Sequence, residues 1–122
     1  MTKTVKIPGP DHPITVSPTG KRVVVRVGDR VIAETDNALT LRESTYAPVQ
    51  YVPLADVDPS VLERTDHATY CPYKGDASYY SVLTDGGVLE NAVWTYETPY
   101  DAVSEIAGHV AFYPNQVEIA VG

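Results

Sequence analysis

One short stretch concentrates the chain's reactive residue types. Thr69-Tyr70-Cys71-Pro72-Tyr73-Lys74-Gly75 holds the single cysteine and, three positions on, the single basic residue of the region from 65 to 122. Proline presets φ for the second position of a β-turn, so Cys71 to Lys74 is expected to be such a turn, with the two α-carbons within about 7 Å. A neighbouring ammonium favours a thiolate, and an aromatic pocket favours a neutral amine. Either makes a nucleophile, so Cys71 and Lys74 are the candidate catalytic residues. A dithiol redox motif needs a second cysteine where Lys74 stands, and no dithiol can form.

Other chemistries find less support. His67, Thr69 and Cys71 alternate onto one strand face, but two ligands with His109 as a distant third are too few for zinc, and no metal or cofactor is expected. There is no nucleophile-elbow serine and no phosphate-binding glycine loop; Gly86-Gly87 belongs to a hairpin turn. Tyrosine is abundant, with nine against one Phe and one Trp. Each buries a large apolar body while its hydroxyl seeks a partner, so a cleft built from Tyr51, Tyr73, Tyr79 and Tyr96 would be polar-lined, as small-ligand pockets are.

The elements that position these residues are strands. Turn signals recur every eight to twelve residues and helix signals are scarce, which points to a mainly β domain. Residues 22–27, 30–35 and 38–43 are separated by Gly28-Asp29 and Asp36-Asn37, predicting a three-stranded meander. In that register Val25, Ile32 and Leu41 share one face, and Arg22, Arg26 and Arg42 the other, a candidate anion site. A second hairpin, 77–84 and 87–97 around Asp85-Gly86, puts Ala77, Tyr79, Ser81, Ala92, Trp94 and Tyr96 on one face. Asn37-Ala38 precedes Glu43 by the same spacing as Asn91-Ala92 precedes Glu97, an echo of two pseudo-symmetric β-meander halves. Short helices are expected at about 59–64 and after Pro99, the latter with Val103, Ile106 and Ala107 on one stripe. Two strands should close the chain on either side of Pro114-Asn115.

Composition sets the outer limits. The 122 residues carry a net charge of −7, with 43% hydrophobic and 20% charged residues, ordinary for one soluble domain spanning 1–122. Residues 65–122 carry eight acids against Lys74 alone, which argues against a nucleic-acid surface. No apolar run is long enough for a membrane span, Met1 to Pro13 lacks a signal-peptide core, and a single cysteine allows no intramolecular disulfide, so a reducing cytoplasm is the expected location.

In order along the chain, "RVVVRVGDRVIAETDNALTLRE", "VQYVPLADV", "TYCPYKGDASYYSV", "AVWTYETP" and "VAFY" resemble the family catalogued as domain of unknown function 427. The resemblance runs from about His12 to Val121. It implies a β-rich fold described as a β-tent, with pseudo-symmetric halves, and no established activity. A nucleotidyltransferase label has been attached to the family, but the Gly-Ser and paired-Asp signature of such enzymes is absent here. The positions matching the family's pattern are Glu43, Tyr51, Pro53, Asp56, Cys71, Pro72, Lys74, Gly75, Tyr79, Trp94, Tyr96 and Phe112. Leu54-Ala55 departs from it, where a charged pair is expected before Asp56.

Three readings follow. The first is a small-ligand binding domain whose site draws on Tyr51, Asp56, Cys71, Lys74, Tyr79, Trp94 and Tyr96, with Lys74 meeting an anionic group. The second is an enzyme with Cys71 or Lys74 as nucleophile, and the third an interaction module presenting a tyrosine-rich surface.

Overall fold

Valine and threonine runs broken by glycine, asparagine and proline form ten strands, as expected of β-branched segments. The computed structural model describes residues 3–122. In chain order the strands are β1 (Ile14–Pro18), β2 (Val23–Val27), β3 (Arg30–Thr35), β4 (Leu39–Glu43), β5 (Val49–Pro53), β6 (Leu62–Cys71), β7 (Gly75–Thr84), β8 (Gly87–Thr95), β9 (His109–Phe112) and β10 (Glu118–Val121). Seven of them make one antiparallel sheet in the order β1-β4-β5-β9-β8-β7-β6, and β10-β2-β3 make a second. Among the described residues no helix is long and apolar enough to cross a membrane.

The two sheets explain the burial pattern. Val23, Val25 and Ile32 of the small sheet pack with Val52, Val82, Val93, Val110 and Phe112 of the large one. On the other face of the large sheet, Leu41, Tyr51, Ala77, Tyr79, Tyr96 and Ala111 form a second cluster with Val103 and Ile106. Strands β5 and β9 contribute to both, which is why Tyr51 and Val52, neighbours in sequence, are each 1% exposed. Strands covered on both faces carry continuous rather than alternating apolar residues.

The pseudo-symmetry is visible in the register. Strand β1 pairs with β4, and β2 with β3. The first part of β7 pairs likewise with the end of β8, and the rest of β7 with the start of β8. Strand β5 beside β4 matches β9 beside β8. The halves meet where Val52 pairs with Val110. Val49-x-Tyr51-x-Pro53 and Val110-x-Phe112-x-Pro114 repeat one spacing, a second echo in the sequence, although Tyr51 and Phe112 face different clusters.

Several expectations need correction. The three-stranded meander does not form, because β4 leaves β3 at Asp36-Asn37 and pairs with β1 and β5 in the other sheet. The Thr35 hydroxyl accepts the Asn37 backbone N–H, so the junction is a local side-chain turn and not a hairpin loop. Leu41 therefore lies in the second cluster, apart from Val25 and Ile32. A bulge between Val25 and Arg26 also sets Val25 opposite Ala33. In the β7–β8 hairpin Ala77, Tyr79, Trp94 and Tyr96 share a face as predicted, but Ala92 packs into the first cluster, because a bulge around Asn91 (φ 52°) interrupts the alternation and moves Tyr79 opposite Trp94. Even-numbered slips preserve the face, and the Asn91 N–H donates to Ser81 Oγ to hold this one. The expected helices are 3₁₀ turns, Pro59–Val61 and Asp101–Ile106. The first gives way at once to β6. In the second Val103 and Ile106 are buried, and Ala107 is exposed as its C-terminal cap.

Candidate functional site

The turn after β6 is built as the sequence requires. The Lys74 N–H donates to the Cys71 carbonyl at 3.2 Å, and the Lys74 carbonyl accepts from the Tyr100 N–H at 2.9 Å. Gly75 follows with φ 113°, a conformation that only glycine adopts at low cost, and this swings the chain into β7. Lys74 is thereby folded inward. Its side chain is 11% exposed, and Nζ lies 2.5 Å from Glu43 Oε1 and 3.9 Å from Cys71 Sγ.

Glu43 ends β4 and is held from two sides. Its second oxygen accepts from His12 Nε2 at 2.7 Å, and the His12 ring stacks on Tyr73 with centroids 4.2 Å apart. Burial raises the pKa of the Glu43 carboxyl, but the hydrogen bonds from Lys74 and His12 outweigh it and hold the group below the usual carboxylate range. The result is a half-sequestered His–Glu–Lys triad that ties the N-terminal segment, β4 and the β6–β7 turn together.

Beside this triad lies a cavity of about 200 Å³, and six of its eleven lining residues are aromatic. Tyr51 lines its inner wall, fully buried on β5, with its hydroxyl accepting from Trp94 Nε1 at 3.1 Å. Trp94 is flanked by Tyr113 at 4.6 Å between centroids. Tyr79 is anchored by Thr69 Oγ1 at 2.9 Å and by the His67 ring against its edge. Burial raises Tyr51 and Tyr96 far above the ordinary tyrosine range. Tyr113 rises to about 12, through burial and the adjacent Tyr79 hydroxyl. These hydroxyls therefore keep their protons at neutral pH and remain donors.

Tyr51, Lys74, Tyr79, Trp94 and Tyr96 are thus brought together around one cavity. Cys71 sits behind Lys74, half-buried. Asp56 is not among the lining residues: it accepts from the Thr35 hydroxyl at 2.6 Å, on the side of the small sheet, because the 3₁₀ turn after Pro53 carries it past the end of β5. The arginine triplet does not assemble either. Arg42 travels with β4 into the large sheet, while Arg22 is engaged by Glu34 and by Asp36 at 2.8 Å on the small one. Arg26 remains on β2, opposite Glu118 of β10.

Three contributors had no role in the sequence reading. Tyr113 follows β9 and lies beside Trp94, a contact that no local pattern in the sequence announces. Tyr46 lies at the rim, 65% exposed, in the β4–β5 loop. His12 lies 31 positions from Glu43, and no local spacing connects them. A larger hollow of about 500 Å³ between the tips of the two hairpins is a weaker candidate, because its one cation, Arg30, already pairs with Asp58 at 2.8 Å.

No curated protein matches the chain. A family model described as domain of unknown function (DUF427) matches residues 15–122, nearly the whole chain and every cavity residue named above, so the chain belongs to that family.

Proposed function

We propose that this chain is a binding domain for a small, acceptor-bearing molecule held in the tyrosine-lined cavity, with Lys74 meeting its anionic group. The observation that carries this reading is the state of the cavity's donors. An ammonium has three N–H groups. At Lys74 one is directed to Glu43 and a second towards Cys71, and the third has no protein acceptor among the described residues. The Tyr51 hydroxyl accepts from Trp94 and keeps its own proton to donate. A wall of partly unpaired donors between aromatic faces suits a compact ligand with carboxylate, phosphate or carbonyl oxygens. The volume equals that of six or seven waters at about 30 Å³ each, which confines the ligand to the size of a small metabolite.

Catalysis by Cys71 or Lys74 is the second reading, and the 3.9 Å approach of Nζ to Sγ favours it. A Schiff-base lysine needs a free amine, however, whereas Glu43 engages Lys74 as an ion pair. Nucleophilic chemistry would therefore fall to Cys71.

Trp94 is the only tryptophan and lines the cavity, so its emission reports occupancy. Native mass spectrometry of the purified protein should reveal a small co-purified molecule, and adding it back should change Trp94 emission in the wild type but not in Lys74→Met. A protein that carries no small molecule, and whose Trp94 emission ignores a panel of small carboxylates and phosphates, would overturn the proposal. Rapid alkylation of Cys71 by iodoacetamide, blocked by the ligand, would shift weight to the catalytic reading.

A further inference from the structure

The cavity has two chemically different ends. At the inner end stand the Lys74 ammonium and the Tyr51 hydroxyl, donors suited to a carboxylate. Towards the opening stand Tyr113, 37% exposed, and the Trp94 ring beside it, neutral rings with negative π faces, while Tyr46 stands on the rim next to His12. The lining contains one acid, Glu43, and both of its oxygens are taken, one by Lys74 and one by His12. A primary ammonium would arrive at the outer end with no free carboxylate to accept its protons. A quaternary ammonium has no N–H to satisfy and is held by aromatic faces alone.

We infer that the ligand is a compact zwitterion, a quaternary ammonium joined by one or two carbons to a carboxylate, oriented with the carboxylate at Lys74 and the methylated nitrogen against the rings of Trp94 and Tyr113. This inference rests on the binding role proposed above and assigns the chemical class of its ligand. Such a molecule, of about eight heavy atoms, is matched to a cavity of about 200 Å³. It also matches the electrostatics of the site. Lys74 and Glu43 cancel, so a ligand of zero net charge leaves the half-buried site neutral, whereas a simple anion or cation would add an unbalanced charge.

The test compares three probes of nearly equal size by Trp94 fluorescence and calorimetry: trimethylammonioacetate, its carbon isostere 3,3-dimethylbutanoate, and choline. The first is expected to bind at least tenfold more tightly than either of the others. Tyr113→Leu, at a partly exposed position, should remove most of that preference, and Tyr113→Phe should restore it, since the ring and not the hydroxyl holds the cation. Equal or tighter binding of 3,3-dimethylbutanoate overturns the zwitterion while leaving the anion-binding role intact. Tighter binding of choline, or no binding of any probe alongside a different co-purified molecule, also overturns it. A Tyr113→Leu variant that keeps the full preference removes the aromatic end from the inference.

Discussion

Lys74 illustrates how much meaning one side chain takes from its partners. As the only base in residues 65–122 it looks like a free cation, yet it is folded onto Glu43 with 11% of its side chain exposed. The pair is held between the halves by His12, so its energy depends on the ionisation of Glu43. The folded carboxyl titrates below its ordinary 4.5, which means that its stabilising contribution is present in full above that pH and is lost as pH falls through the lowered folded value. Glu43→Gln should therefore be less stable than the wild type at neutral pH, with the difference shrinking steadily in acid below about pH 4.5. Urea titrations at a series of pH values measure this, and a difference independent of pH would show that the carboxylate charge contributes nothing. The turn at Cys71 to Gly75 was legible from the residues alone, because Pro72 and Gly75 restrict the backbone locally. The partner of Lys74 was not, because Glu43 lies 31 positions away and any of sixteen acids would satisfy a charge-pairing rule.

At the scale of elements, hairpins were readable and crossings were not. Gly28-Asp29 and Asp85-Gly86 mark tight turns because such residues tolerate positive φ, and both hairpins form. Asp36-Asn37 has the same composition but ends one sheet and begins another. What decides between the two outcomes is whether β4 finds a better partner in β1, and β1 lies some twenty residues upstream in the chain. The entry to β7 is the element-scale feature that the cavity depends on. At Gly75 a Cβ would meet the Thr98 carbonyl oxygen at 3.5 Å, an ordinary contact, but φ of 113° is strained for any other residue. Gly75→Ala should cost about 1–3 kcal/mol and lower the thermal midpoint accordingly. A midpoint unchanged within error would mean that the turn relaxes freely, and Lys74 with it.

Across the whole molecule, the two halves are joined in the large sheet through β5 and β9, with Val52 opposite Val110 and Pro53 opposite His109. Val110 is completely buried and Tyr51, on β5, closes the floor of the cavity, so core and site share one seam. Val110→Ala removes two methyl carbons and leaves a void, for a loss of about 2–3 kcal/mol. If the halves unfold as one unit, far-ultraviolet dichroism and Trp94 fluorescence of this variant should share a single lowered midpoint in urea. Separate midpoints would show instead that the second half, which carries Trp94, unfolds independently of the first. The echo of Asn-Ala spacing before Glu43 and Glu97 was readable because each strand–bulge–strand unit obeys its own local rules. The two glutamates nevertheless took different partners, Lys74 and His12 in one case, Arg64 and Ser78 in the other.

By itself the sequence determined the β-rich class, both hairpins, the Cys71–Gly75 turn and part of the aromatic lining: Tyr51, Tyr79, Tyr96 and Trp94 share the cavity, whereas Tyr73 stacks on His12 outside it. Those follow from short-range constraints: the φ restrictions of Gly and Pro, strand alternation, and apolar patterning. Only the tertiary structure decided which sheet received β4, that Asp56 and the arginines stood elsewhere, and that Glu43 and His12 claimed Lys74. Those outcomes depend on which segments compete for the same edge and the same buried charge, and that competition is settled across the whole chain.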